Sequence, residues 1–267
     1  MLRYSVSVAL AILCGLLGWA TSSDAAFVKA QEKSCVGSLV ASTPCNVTGV
    51  VANSTLIAVC KLSIGGNCTP TSSGITWTQD ISRTHTGLGW VLQVYSALIP
   101  AGGAVNTTFT SSGGATAIRI ILTEFSGVAT SSRVDATAAS SGKPEPPFGL
   151  TAISAGSVTT TAASELLVVG AGTDSDLLGW SPGAGYTFAN PNCNVNIEPD
   201  QKVCMEYKTS GATGNYTGTL TINSDSWVAA MVAYRPTGGA DTTPPAAPTG
   251  VQISQPVTPE NLHFVGR

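Results

Sequence analysis

Charge is scarce in this 267-residue chain. Only 10% of its residues are Asp, Glu, Lys or Arg, and 12 basic against 15 acidic residues leave a net charge of −3. No basic surface is available to neutralise a phosphate backbone, which argues against nucleic acid as a partner. Histidine is almost absent, with His85 and His263 the only two, so a histidine-rich metal centre or proton shuttle has little to build on. Aromatics make up 6% of the chain, too few for an extended stacking platform. Past residue 26 there is no apolar run of the roughly 20 residues a membrane span needs. Segments with a clean 3.6-residue period are missing as well, so helix should be scarce. Nothing in this inventory calls for a cofactor.

What is present begins with an export signature. Residues 1–26 carry Arg3, then an apolar stretch from Val6 to Leu17, then small residues around Ser23 and Ala25. That order reads as a cleavable secretory signal, and the mature chain is expected to be secreted or held at the cell surface. Setting Cys14 aside leaves six cysteines in three close pairs. Six cysteines allow about 15 connectivities, of which local pairing of Cys35 with Cys45, Cys60 with Cys68 and Cys193 with Cys204 is the simplest. The spacings lack the CxxC pairs of a zinc site, and an exported chain meets an oxidising compartment, so disulfides are expected rather than metal.

From residue 50 to 236 the chain is rich in Thr, Val, Ala, Ser and Gly, with short apolar runs broken every 8–12 residues or so by Gly and Pro, the pattern of an all-β sandwich or barrel. The fold class expected is therefore all-β, a two-sheet antiparallel β-sandwich over residues 27–237. Sliding the chain on itself by about 110 residues brings Leu56–Val59 onto Leu166–Val169, Gly74–Trp77 onto Gly185–Phe188, and Val91–Tyr95 onto Val203–Tyr207. Thr108–Thr110 likewise meets Thr219–Thr221, and Ile118–Phe125 meets Val228–Tyr234. Five matched elements in one order suggest two related halves, and two interleaved Greek keys would make a jelly roll.

Two resemblances extend this reading. The segment Asp241-Thr242-Thr243-Pro244-Pro245-Ala246-Ala247-Pro248-Thr249-Gly250 resembles the lead-in to a fibronectin type III domain, so residues 238–267 are expected to be a Pro-rich linker and the incomplete start of such a domain. Glu124–Val128, Gly156–Thr161, Leu166–Val168, Gly183–Thr187 and Trp227–Ala229 resemble a lectin-like jelly-roll module that recurs beside fibronectin type III repeats in large exported bacterial proteins. The resemblance implies a surface or binding role and supplies no catalytic residues.

The residues able to carry chemistry are few. Gly179-Trp180-Ser181-Pro182-Gly183 fits GxSxG formally, yet Pro182 lacks the N–H that must help hold an oxyanion, so a loop turn is expected. Paired carboxylates could serve glycoside hydrolysis, with Glu124, Asp135, Asp174, Asp176, Glu206 and Asp225 as candidates and no motif tying any two together. Strand alternation puts Glu124 on the face of Ile118, Ile120 and Leu122, where a buried carboxylate needs a partner, with Arg235 or Arg133 proposed. Asp174 and Asp176 in an oxygen-rich loop are weak calcium candidates without EF-hand spacing.

For a sugar ligand, exposed aromatics beside polar groups are required. Trp180 and Tyr186, flanking a Gly-rich loop with Asp174 and Asp176, are the best candidates. Trp77, Trp90 and Trp227 sit in strand-like runs and read as core. The leading reading is an exported non-catalytic module binding carbohydrate or a cell-surface ligand through loops at one end of the sandwich. The alternative is a structural or adhesive subunit that contacts surface proteins or self-associates through sheet edges or its tail. A glycosidase or lyase comes third.

Overall fold

The computed structural model describes residues 27–144, 149–173, 179–190 and 202–238. The expected signal, Asp174, Asp176, Cys193 and the chain from residue 239 lie outside them.

β-Branched residues are stiff at χ1 and suit a pleated surface, and the described residues form strands with no helix among them. The first half contains β1 (Val28–Val40), β2 (Ser42–Pro44), β3 (Val47–Val50), β4 (Ser54–Leu62), β5 (Cys68–Ser72), β6 (Thr78–Thr84), β7 (Val91–Ile99), β8 (Gly103–Val105), β9 (Thr107–Ser111) and β10 (Thr116–Ser126). The second contains β11 (Val134–Gly142), β12 (Leu150–Thr159), β13 (Leu166–Thr173), β14 (Thr187–Phe188), β15 (Lys202–Thr209), β16 (Asn215–Asn223) and β17 (Trp227–Tyr234).

Each half builds its own five-stranded antiparallel sheet, in the order β1-β10-β4-β7-β6 and β11-β17-β13-β15-β14. The two orders correspond strand for strand, and so do the registers. Cys60 faces Ile120 in the first half where Gly170 faces Ala230 in the second, and Val59–Val94 corresponds to Val169–Glu206. Thr43–Phe109 likewise corresponds to Ile153–Leu220. One element departs from the sequence alignment. Gly74 has φ +70° and turns the chain, with Ile75 N–H donating to Ser72 O, so the edge strand starts at Thr78. Thr187, opposite Tyr207, therefore matches Gln79, opposite Tyr95, and not Thr76.

The interleaving of a single jelly roll is absent from the described sheets, because neither large sheet takes a strand from the other half. The architecture is layered instead. Leu56, Ala58, Cys60 and Leu62 of β4 face an outer layer made by β2-β9-β5 and β3-β8, while Ile57 and Val59 face the second large sheet. β13 and β17 repeat the pattern: Val168 and Val232 point to the central seam, and Leu167 and Met231 point to the β12-β16 layer. Burial on both faces explains why these strands read as continuous apolar runs and not as alternation. The seam is closed by glycine: a Cβ on Gly170 would stand 2.6 Å from Val59 Cγ1, and one on Gly172 would stand 2.5 Å from Lys61 Cδ.

Reciprocal contacts join the halves, each sheet laying its first strand against the far edge of the other. Lys29 of β1 donates to Ala189 O beside β14, and Asn190 Nδ2 donates to Ser34 Oγ of β1. At the opposite edge, Asp80 and Arg83 of β6 meet Tyr234 of β17 and Ser141 of β11. The same pattern in two chains would be an isologous dimer contact.

Cys35–Cys45 and Cys60–Cys68 are disulfides, with Cα separations of 5.6 and 6.4 Å. They tie the outer strands of the first half to its large sheet. Cys204 is also disulfide-bonded. Disulfides of this kind fit an oxidising, extracellular compartment, and no helix among the described residues is long and apolar enough to cross a membrane.

Candidate functional site

β15 alternates strictly. Val203, Met205 and Tyr207 turn toward the central seam, leaving Cys204, Glu206 and Lys208 on the other face. β14 is only two residues long, and among the described residues no further strand pairs beyond it at this end. A cavity of about 450 Å³ opens there, lined by Lys29, Pro182, Tyr186, Thr187, Phe188 and Tyr207. It draws on both halves, since Lys29 comes from β1 and the rest from the second half. Three aromatic rings and a proline give it apolar walls, and the Lys29 ammonium and Thr187 hydroxyl supply the polar groups.

The rings are fixed in place. Tyr207 packs edge-on against Phe125, with centroids 5.1 Å apart. Tyr186 is only 6% exposed, its hydroxyl donates to Thr217 O at 3.3 Å, and Lys208 Nζ stands 4.2 Å from its ring centroid. It offers the groove part of its ring and not an open face. Phe188 is half-buried and leans on the β12-β16 core.

Behind the groove sits Glu206, 0% exposed. Gly183 N–H donates to its Oε2 at 2.9 Å, while Oε1 is buried without a hydrogen-bond partner. Burial pushes this carboxyl up to about 8 against the pull of the Gly183 hydrogen bond and of Lys208, so it holds a proton at neutral pH. The same burial, with Glu206 nearby, raises Tyr186 and opposes its ionisation.

The residues expected from sequence are distributed as follows. Trp180 packs against the β12-β16 core and does not line the groove. Its neighbour Ser181 is exposed and forms an isolated bridge with Thr221, not a strand–turn–helix elbow. Glu124 is buried on the expected face, but its partners are Gln31 Nε2 at 2.6 Å and the Val51 N–H at 2.7 Å, not an arginine. Arg235 is half-buried and reaches Asp135 Oδ1 at 2.5 Å, because β17 lies beside β11 rather than β10. Arg133 donates to Ser96 Oγ at 2.8 Å. Phe188, Tyr207 and Lys29 were not singled out from sequence. β15 was legible as a strand, but the approach of β1 was not.

One carboxyl pair does come together. Asp135 and Glu165 touch, and neither side chain is accessible to solvent. Thr161 N–H and Oγ1 both donate to Asp135, and Ala162 N–H donates to Glu165 Oε1. Glu165 Oε2 finds no donor, and a proton placed on it gains Asp135 as acceptor. Burial lifts Glu165 to about 7, whereas hydrogen bonds and Arg235 outweigh burial and hold Asp135 below its ordinary value. The contact is closer than the roughly 5–9 Å at which glycosidase acids flank a substrate. Among the described residues no group of three His, Cys, Asp or Glu side chains could hold a metal ion.

No protein-family model, curated protein or solved structure matches this chain.

Proposed function

We propose that the chain is an exported, non-catalytic binding module that takes carbohydrate in the groove between β1 and β14. The observation that supports this reading is the convergence of Tyr186, Phe188 and Tyr207 with Lys29 around one surface cavity of about 450 Å³. Flat apolar rings suit the C–H faces of pyranoses, and a few fixed polar groups orient hydroxyls. The disulfides and the signal-like leader are consistent with work outside the cell. Catalysis draws no support from the acids, since Glu206 and the Asp135–Glu165 pair are closed to solvent.

The test is a glycan array probed with the wild-type chain and with Phe188→Ala, the groove aromatic least committed to internal contacts. Saturable binding to a defined glycan, reduced about tenfold or more in the variant at unchanged thermal stability, supports the reading. Equal binding by both proteins removes the groove from consideration.

The structural or adhesive alternative rests on β1, a thirteen-residue strand that among the described residues pairs on one side only, with β10. Lys29, Glu32 and Lys33 along it, and register shifts near both ends, are devices that discourage edge-to-edge pairing. Carbohydrate binding is therefore preferred.

A further inference from the structure

The edge opposite the aromatic groove carries a second cavity, of about 300 Å³, lined by His85, Thr86, Ser141, Gly142 and Lys143. It too is built from both halves, because His85 and Thr86 follow β6 while Ser141 and Gly142 end β11 and Lys143 follows it. His85 is 2% exposed and rigidly held. Its ring lies against Trp90, with centroids 5.1 Å apart, and its Nε2 is 3.1 Å from Gly142 O. A carbonyl oxygen only accepts, so Nε2 carries the hydrogen. Nδ1 is then the free ring atom, buried and without a hydrogen-bond partner.

Cationic groups collect around this histidine. Arg83 Nη2 donates to Ser141 Oγ at 3.2 Å, and Arg83 Nε is buried without a partner. Because the guanidinium can only donate, the Ser141 hydroxyl keeps its own hydrogen for another acceptor. Lys143 Nζ lies 3.9 Å from where a Cβ on Gly87 would stand, which places it against the turn after His85. Among the described residues no salt bridge joins Arg83 or Lys143 to a carboxylate. In a chain of net charge −3, two cations that meet no carboxylate among the described residues stand beside a cavity and form a local field that favours an anion.

We propose that this cavity binds an oxyanion, either the carboxylate of an acidic sugar or a free sulfate-like ion. Lys143 and the Ser141 hydroxyl, backed by Arg83, meet the charge, Thr86 meets a neighbouring hydroxyl, and the buried His85 ring forms the wall that reports occupancy. The site is independent of the aromatic groove, which lies on the far edge of the sheets.

The experiment titrates the full chain with glucuronate, sulfate and glucose and follows the imidazole resonances of His85, assigned against His263 with His263→Gln. Saturable His85 shifts with glucuronate, absent with glucose, are expected, and Lys143→Ala is expected to weaken them at least tenfold. Arg83→Gln serves as the second variant and is expected to act in the same direction. A tighter response to glucuronate than to sulfate identifies the sugar acid, and equal responses identify a simple oxyanion site. Shifts with neither anion, or full binding retained in Lys143→Ala, overturn the assignment. Glycan-array binding through the aromatic groove stays unaffected by these substitutions, so failure of one site is distinguishable from failure of the other.

Discussion

The hydroxyl of Tyr234, wholly buried at the end of β17, donates to Asp80 Oδ2 on β6 at 2.6 Å and so links the two halves through their interior. Ser96 Oγ supplies a second hydrogen bond to Asp80 at 3.0 Å and is itself held by Arg133. Burial raises the Asp80 carboxyl, with both hydrogen bonds and Arg133 opposing the shift. Tyr234→Phe keeps the ring and removes the donor. It is expected to cost about 1–3 kcal/mol, because the carboxylate loses a partner it cannot replace with water. Urea denaturation at neutral pH measures this, and an unchanged midpoint would show that the link carries no stability.

The two glutamates with raised values set the pH response. Glu165 and Glu206 rise from 4.5 to about 7 and about 8, so between pH 4.5 and those values the folded chain binds more protons than the unfolded one. Stability therefore falls as pH increases through this window and levels off above it. Asp135, held low, adds stability that is lost only at pH below its ordinary range. Glu206→Gln mimics the protonated carboxyl and is expected to flatten part of the slope between pH 5 and 8, with little change at pH 5. Thermal unfolding across that range checks the sign; a wild-type melting temperature that rises from pH 5 to 8 would contradict it.

Gly170 sets the spacing of the central seam. With a Cβ 2.6 Å from Val59 Cγ1, Gly170→Ala forces either the valine or a strand to move. Overpacking of this kind costs about 1–3 kcal/mol. The paired change Gly170→Ala with Val59→Ala is expected to recover part of that loss, a coupling that a double-mutant cycle in denaturant reads directly.

The Cys35–Cys45 link closes a short loop, and removing it as Cys35→Ala with Cys45→Ala is expected to lower stability by about 2–3 kcal/mol. The loss appears in denaturation under non-reducing conditions. Both side chains lie in the outer core of the first half, so the second half should keep its own packing.

Legibility from sequence followed burial. β4, β7, β10, β13, β15 and β17 were readable because their residues are apolar on one or both faces, and the same residues carried the repeat. β1, β6 and β11 were not. Their side chains are mostly partly exposed, and Gln, Lys, Ser and Ala along them give no alternating pattern. The face of Glu124 followed from alternation within β10, whereas its partner depended on β1 and on the loop at Val51, both remote in sequence. For the same reason Tyr186 was found and the groove around it was not: Lys29 and Tyr207 reach it through tertiary packing. The grouping of strands into sheets was not legible for a similar reason, since a repeat in sequence does not specify which sheet each strand joins.

The central claim is that the β1–β14 groove holds a sugar, and the most direct measurement is a ¹³C-resolved NMR titration of aromatic and methyl resonances with a glycan selected from the array. Saturable shifts centred on Tyr186, Phe188, Tyr207 and the Lys29 side chain, lost in Phe188→Ala, are the result the account predicts. Shifts centred elsewhere on the chain, with these four residues undisturbed at saturation, would contradict it.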